Sequence, residues 1–128
     1  MTSGITTVDS VMNLAEAMSN MDGDAELLQE IVTIFMETGQ AQLTALAGSI
    51  AAGDARDVAI KAHGLKGGAS NFCAREFVGS ALKLELLAKA GTLGGATALL
   101  DAMQSDYNEL QEIVQLINWQ EVAQSWSR

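Results

Sequence analysis

No proline interrupts the 128 residues of this chain, and apolar side chains recur at intervals of three and four through most of it. Proline is the strongest helix breaker, and a repeat near 3.6 residues marks an amphipathic helix, so the chain is committed to helix before any segment is singled out. Alanine, leucine, methionine and glutamine are frequent and β-branched residues scattered, which favours the same state.

Periodicity and end signals predict five helices. The first runs from about Thr7 to Ser19 on Val8, Val11, Met12, Ala15 and Met18, capped by Thr6 or Thr7. Asn20-Met21-Asp22-Gly23 reads as a turn. The second runs from about Asp24, a good N-cap, to Ala52, with an apolar stripe of Leu27, Leu28, Ile31, Ile34, Phe35, Leu43, Leu46, Ala47 and Ile50. Gly39 and Gly48 weaken it, which points to a bend or close packing there. The third runs from about Asp54 to Phe72. The fourth runs from about Ala74 to Ala90, on Phe77, Val78, Ala81, Leu82, Leu84, Leu87 and Ala88, with Gly91 ending it. The fifth runs from about Ala96 to at least Ile117, and the tail 118–128, with Trp119, Val122 and Trp126, extends it or folds back.

Short connections between long amphipathic helices imply antiparallel neighbours. The expected fold is all-α: an antiparallel up-and-down four-helix bundle with an additional N-terminal helix. The chain forms a single domain over 1–128, with its core at about 20–117.

Composition excludes several function classes. A lone cysteine, Cys73, rules out an intramolecular disulfide and a cysteine-rich zinc site, and fits a reducing cytoplasm. No apolar run is long enough to span a bilayer, and the N-terminus lacks the basic and apolar regions of a signal peptide. The expected location is cytoplasmic, and the opening Met1 favours a free-standing protein. A net charge of −9 disfavours nucleic acid. Between 56 and 89, however, six of the seven basic residues stand against three acids, net +3, while elsewhere one base stands against thirteen acids, net −12. Such a basic island attracts an acidic surface or a phosphoryl group, unless the clustering is chance on solvated faces.

The only histidine, His63, lies inside that island. With 100° per residue and His63 at zero, Val58, Leu65, Phe72 and Ala69 fall between roughly 180° and 240°, and Ala62 and Cys73 extend the arc to about 280°. That is the buried face. Arg56, Gly67, Ser70, Ala59 and Lys66 surround His63 on the exposed one. A core histidine is the blander reading, but burying His63 would bury Lys66 too. A glycine-broken loop is another, but the apolar phase continues through Gly64, Gly67 and Gly68 to Phe72.

An exposed neutral imidazole is a competent nucleophile near neutral pH, its unperturbed pKa being about 6.5. Gly67, one turn on, leaves room for a bulky partner. Lys66 is placed to neutralise a phosphoryl group on the ring, and Ser70 to donate a hydrogen bond to it. Gly64, Ala59 and Arg56 complete the partner-facing set. No Gly-rich nucleotide loop ends in Gly-Lys-Ser/Thr, and no second histidine supports a hydrolytic triad. The chain is suited to carry a group made elsewhere.

His63-Gly64-Leu65-Lys66-Gly67, followed by Ala69, Asn71 and Phe72, resembles the His-x-Leu-Lys-Gly core of histidine-containing phosphotransfer (HPt) domains. Asp24-Ala25-Glu26-Leu27-Leu28 with Phe35, Gly53-Asp54 and Leu84-Glu85 are similar to the family's flanks. The resemblance covers about residues 20 to 117. Gly68 stands where that family often has Ser, and Cys73 where it often has Gly. The resemblance implies a four-helix bundle with an accessory helix. It implies that His63 is phosphorylated by the aspartate of one receiver domain and passes the group to another, with a hybrid sensor histidine kinase upstream. The chain itself would be a monomer without cofactor or metal, Mg²⁺ belonging to the receiver. Two other readings stand beside this one: a non-phosphorylated helical adaptor that binds or blocks receivers, and a metal-dependent enzyme using His63 with nearby acids, for which Asp57 and Glu76 are poorly placed.

Overall fold

The structure, a computed structural model, describes residues 12–126. Six helices follow one another without a strand among the described residues: α1 (Leu14–Asn20), α2 (Ala25–Ala51), α3 (Ala55–Ser70), α4 (Arg75–Lys89), α5 (Ala96–Val114) and α6 (Trp119–Trp126). Helices α2 to α5 form the bundle: α3 packs between α2 and α4, and α5 closes the ring against α4 and α2. The up-and-down bundle expected from short connections is the observed one.

Side-chain caps set most of the boundaries. Asp24 accepts from the Leu27 amide at 3.0 Å and Asp54 from the Asp57 amide at 3.1 Å, so the aspartates placed at these starts do cap α2 and α3. The first helix differs from expectation. Asn13 is extended and its side chain accepts from the Glu16 amide at 2.9 Å, so α1 begins at Leu14, whereas a continuous helix was expected from Thr7. Thr6, Thr7, Val8 and Val11 lie outside the described residues. The last helix is divided too: α5 stops at Val114, and Asn118 accepts from the Glu121 amide at 3.1 Å to start α6, which folds back on α2. Trp119 and Val122 pack against the core; the side chain of Trp126 lies outside the described part.

Helix α3 ends two residues before the expected Phe72. Cys73 adopts a φ of +60°, a left-handed conformation that normally favours glycine, and the Ala74 amide reaches back to the Ala69 carbonyl at 3.3 Å. The Cys73 carbonyl accepts from the Asn13 amide at 3.0 Å, tying α1 to this turn. Burial pushes the Cys73 thiol pKa up.

An aromatic cluster holds α3 in place. Phe35 meets Phe72 and Phe77 edge-on at centroid distances of 5.2 and 5.5 Å, and Tyr107 at 6.0 Å. Tyr107 donates its hydroxyl to the Met36 carbonyl at 2.5 Å. Gly39 is the close-packing glycine: a Cβ there would lie 2.5 Å from Tyr107 Cε1, whereas one at Gly48 would meet nothing within 4 Å.

Among the residues assigned to apolar stripes, the large side chains of Leu27, Ile34 and Leu82 stay outside the core, 41 %, 54 % and 40 % exposed, as does the small Ala15. A bundle helix buries only the sector between its neighbours, and these stripes are wider than that sector. On α4 the buried set is Phe77, Ala81, Leu84, Glu85 and Ala88, so a glutamate occupies a core position.

Candidate functional site

The buried arc of α3 is the expected one. Val58, Ala62, Leu65, Ala69 and Phe72 are essentially inaccessible, and the His63 side chain stands opposite them, 66 % exposed. The imidazole is nonetheless anchored. Its Nδ1 lies 3.0 Å from Glu85 Oε2, contributed by the antiparallel neighbour α4.

Glu85 is the functional residue that sequence reasoning missed. The sequence offers Leu84-Glu85 only as a family-like pair, and Asp57 and Glu76 as the acids nearest His63 along the chain on either side. The available signal was spacing: residues 77, 81, 84, 85 and 88 recur as one helix face, which makes Glu85 an inward carboxylate. A buried carboxylate needs charge partners. Lys66 Nζ lies 2.9 Å from Oε1, and Lys89 Nζ lies 3.0 Å from Oε2. Lys66 foremost, then Lys89 and His63, hold the Glu85 carboxyl down at about 2 against the opposing effect of burial. Glu85 is therefore ionised at neutral pH and can only accept hydrogen bonds. In the neutral ring Nδ1 must then carry the proton, which leaves the lone pair on Nε2.

The remaining expected site residues are placed unevenly. Gly67 and Gly64 border His63, and a Cβ at either would meet nothing within 4 Å. The fold itself does not require glycine at these two helical positions. At Gly68 a Cβ would lie 3.2 Å from Phe35 Cδ1, a tight contact that Phe35 would have to relax to admit serine. Gly64 and Gly68 also form one wall of a groove of about 300 Å³ whose other wall is Ile31, Ile34, Phe35 and Thr38 of α2. Arg56 is exposed two turns before His63 and makes no hydrogen bond or ion pair with a described residue.

Two expectations are corrected. Ala59, expected to face a partner, is only 9 % exposed and belongs to the core. Ser70 is exposed but donates its hydroxyl to the Lys66 carbonyl at 2.8 Å, and it sits two turns, roughly 10 Å of rise, from His63. Its donor is not directed at the imidazole. Lys66 is likewise more committed than expected: it is half-buried against Glu85 and not free beside the ring.

Internal pairing absorbs much of the basic island. Lys61 pairs with Asp57, Arg75 with Glu16, and Lys66 and Lys89 share Glu85. Lys61 first, then Ser49, lower the Asp57 pKa. One carboxylate does come within ligand distance of His63, but it is Glu85, already flanked by two ammonium groups that would repel a metal ion. Among the described residues no cluster of three histidine, cysteine or acidic side chains could hold a metal ion.

A bundle of antiparallel helices with an outward imidazole, a buried carboxylate behind it and glycine in front defines a helical module built around one histidine. The family model for the Hpt domain matches residues 30–115, and the chain belongs to that family. Hpt domains are phosphocarrier modules of phosphorelays. The solved structure of histidine-containing phosphotransfer protein B from Pseudomonas aeruginosa has the same fold: TM-score 0.75, 24 % sequence identity, covering 89 % of this chain and 96 % of that one. No curated protein sequence matches the chain significantly.

Proposed function

We propose that His63 accepts a phosphoryl group on Nε2 from the aspartyl phosphate of a receiver domain and passes it to the aspartate of another. The observation that carries this reading is the Glu85–His63 bond, which turns the unprotonated nitrogen of an exposed ring towards solvent. In the forward step the Nε2 lone pair attacks phosphorus. The P–O bond to the donor aspartate breaks, and its electron pair leaves on the carboxylate. The ring becomes an imidazolium whose Nδ1–H stays on Glu85, so no proton has to move during transfer. In the onward step a carboxylate oxygen of the second receiver's aspartate forms the new P–O bond as the N–P bond breaks, and the N–P electron pair returns to Nε2.

Gly67 and Gly64 give the receiver's acidic pocket access to Nε2, and the groove lined by Ile34, Phe35 and Gly64 offers the docking receiver an apolar surface that reaches the residue next to His63. Mg²⁺ and the remaining catalytic groups belong to the receiver. A hybrid sensor histidine kinase carries the donor receiver in this reading, and the whole chain acts as one cytoplasmic, monomeric domain. No described helix is long and apolar enough to cross a membrane.

Incubation with a phosphorylated receiver tests this. His63 gains acid-labile, alkali-stable phosphate. Absence of label across a broad set of receivers, or equal labelling of His63→Gln, overturns it; receivers that bind wild type and His63→Gln alike while wild-type His63 takes no phosphate identify an adaptor.

A further inference from the structure

The two lysines on Glu85 are not equivalent. Lys66 Nζ, on a side chain 24 % exposed, is the group that meets Oε1, and that oxygen is buried with no hydrogen bond besides this charge contact. Lys89 Nζ meets Oε2, the oxygen that also takes His63 Nδ1, from a side chain 61 % exposed. Removing Lys66 strands a buried charged atom. Displacing Lys89 strands nothing, because Oε2 keeps its bond to His63. Only the ammonium end of this i,i+4 pair is solvated, and its partner oxygen has a second bond, so Lys89 is the more easily displaced of the two lysines.

We infer that Lys89 binds the phosphoryl group once it is on His63, while Lys66 remains the anchor of Glu85. This rests on the phosphohistidine reading above, and it divides between two residues the tasks the sequence assigns to Lys66 alone. Lys89 and His63 share one carboxylate oxygen, so the ammonium already stands beside the ring. Phosphorylation adds up to two negative charges at Nε2, on the exposed side. The flexible four-carbon stem of lysine lets the ammonium swing from Oε2 to a phosphoryl oxygen, and the released oxygen stays satisfied. Arg56, the other exposed cation on this face, begins two turns away, roughly 10 Å along the helix. A cation on the phosphoryl oxygens stabilises the charged ground state more than the loose, metaphosphate-like transition state of N–P cleavage, so it lengthens the life of the phosphohistidine.

The test uses the full chain phosphorylated by potassium phosphoramidate, which removes receiver docking from the measurement. Phosphohistidine lifetime, its ³¹P chemical shift and the thermal midpoint are compared for wild type, Lys89→Met, Lys89→Arg and Lys66→Met. The expected result for Lys89→Met is a lifetime shortened by roughly three- to tenfold and a moved ³¹P resonance, with a smaller fall in midpoint than in Lys66→Met; Lys89→Arg restores the lifetime and the resonance. Lys66→Met lowers the midpoint. Wild-type lifetime and ³¹P shift in Lys89→Met overturn the inference even if Lys66→Met does not fold. So does a larger effect on both in a folded Lys66→Met. Wild-type protein that takes no phosphate on His63 from phosphoramidate or from a phosphorylated receiver overturns the underlying reading as well.

Discussion

Glu85 holds His63 by Nδ1 across 3.0 Å from a helix 22 residues further along the chain. The bond makes an exposed side chain directional. Glu85→Gln retains an oxygen that can accept from Nδ1–H but loses the charge that balances Lys66 and Lys89. Glu85→Ala loses both. Phosphotransfer from a receiver should fall in both variants, further in alanine. Glu85→Ala should also destabilise the fold by roughly 3 kcal/mol in urea titration, since Lys66 is left half-buried without its partner.

Acid titration should expose the same carboxylate. Glu85 ionises at about 2 in the folded chain, against an ordinary value of 4.5. The folded state therefore binds fewer protons than the unfolded state between those values, and stability falls as pH drops through the window. Urea midpoints measured from pH 6 to pH 3 should decline more steeply in wild type than in Glu85→Gln. Equal slopes would mean that the carboxylate is not held in its charged form.

Asp106 gives the opposite sign. Burial first, then Glu76 and Glu109, raise it from 3.8 to about 6. The folded state keeps its proton where the unfolded state has lost it, so this group's contribution to stability is present below pH 3.8 and declines as pH rises through 6. Asp106→Asn should remove that decline, seen as a flatter dependence of the urea midpoint between pH 4 and pH 7.

Glycine substitutions should separate packing from clearance. Gly39→Ala places a methyl 2.5 Å from Tyr107 Cε1, whose hydroxyl is fixed on Met36, and should destabilise by roughly 2 kcal/mol. Gly48→Ala meets nothing and should stabilise α2 by about 0.5–1 kcal/mol. Guanidinium denaturation of the pair reads both signs.

Gly67→Ala should behave like Gly48→Ala in the isolated chain, gaining about 0.5–1 kcal/mol of helix propensity. Its phosphotransfer rate should nevertheless drop, and Gly67→Leu should lose transfer while still folding. A Gly67→Leu protein that exchanges phosphate at the wild-type rate would remove clearance as the reason for this glycine.

Local chemistry was legible residue by residue. The aspartates at 24 and 54 cap because a short carboxylate reaches free amides wherever a helix starts, and the wheel through Val58, Leu65 and Phe72 found the buried side of α3 because 3.6-residue periodicity is intrinsic to the backbone. The same local logic put His63 outside the core. It did not reveal how far the neighbours wrap round: Ala59 was placed outside and is buried, while Ile34 and Leu82 were placed inside and stay exposed.

The sequence by itself determined an all-helical chain, the positions of its main caps and the outward histidine, because each depends on residues within about two helical turns of one another. Only the tertiary structure decided what lies behind that histidine. Glu85, Lys66 and Lys89 meet His63 because α3 and α4 run antiparallel in one particular register. Electrostatics falls off with distance through space and not along the chain, so ionisation of Glu85, the ring proton on Nδ1 and the separate stations of the two lysines are properties of the packed pair of helices.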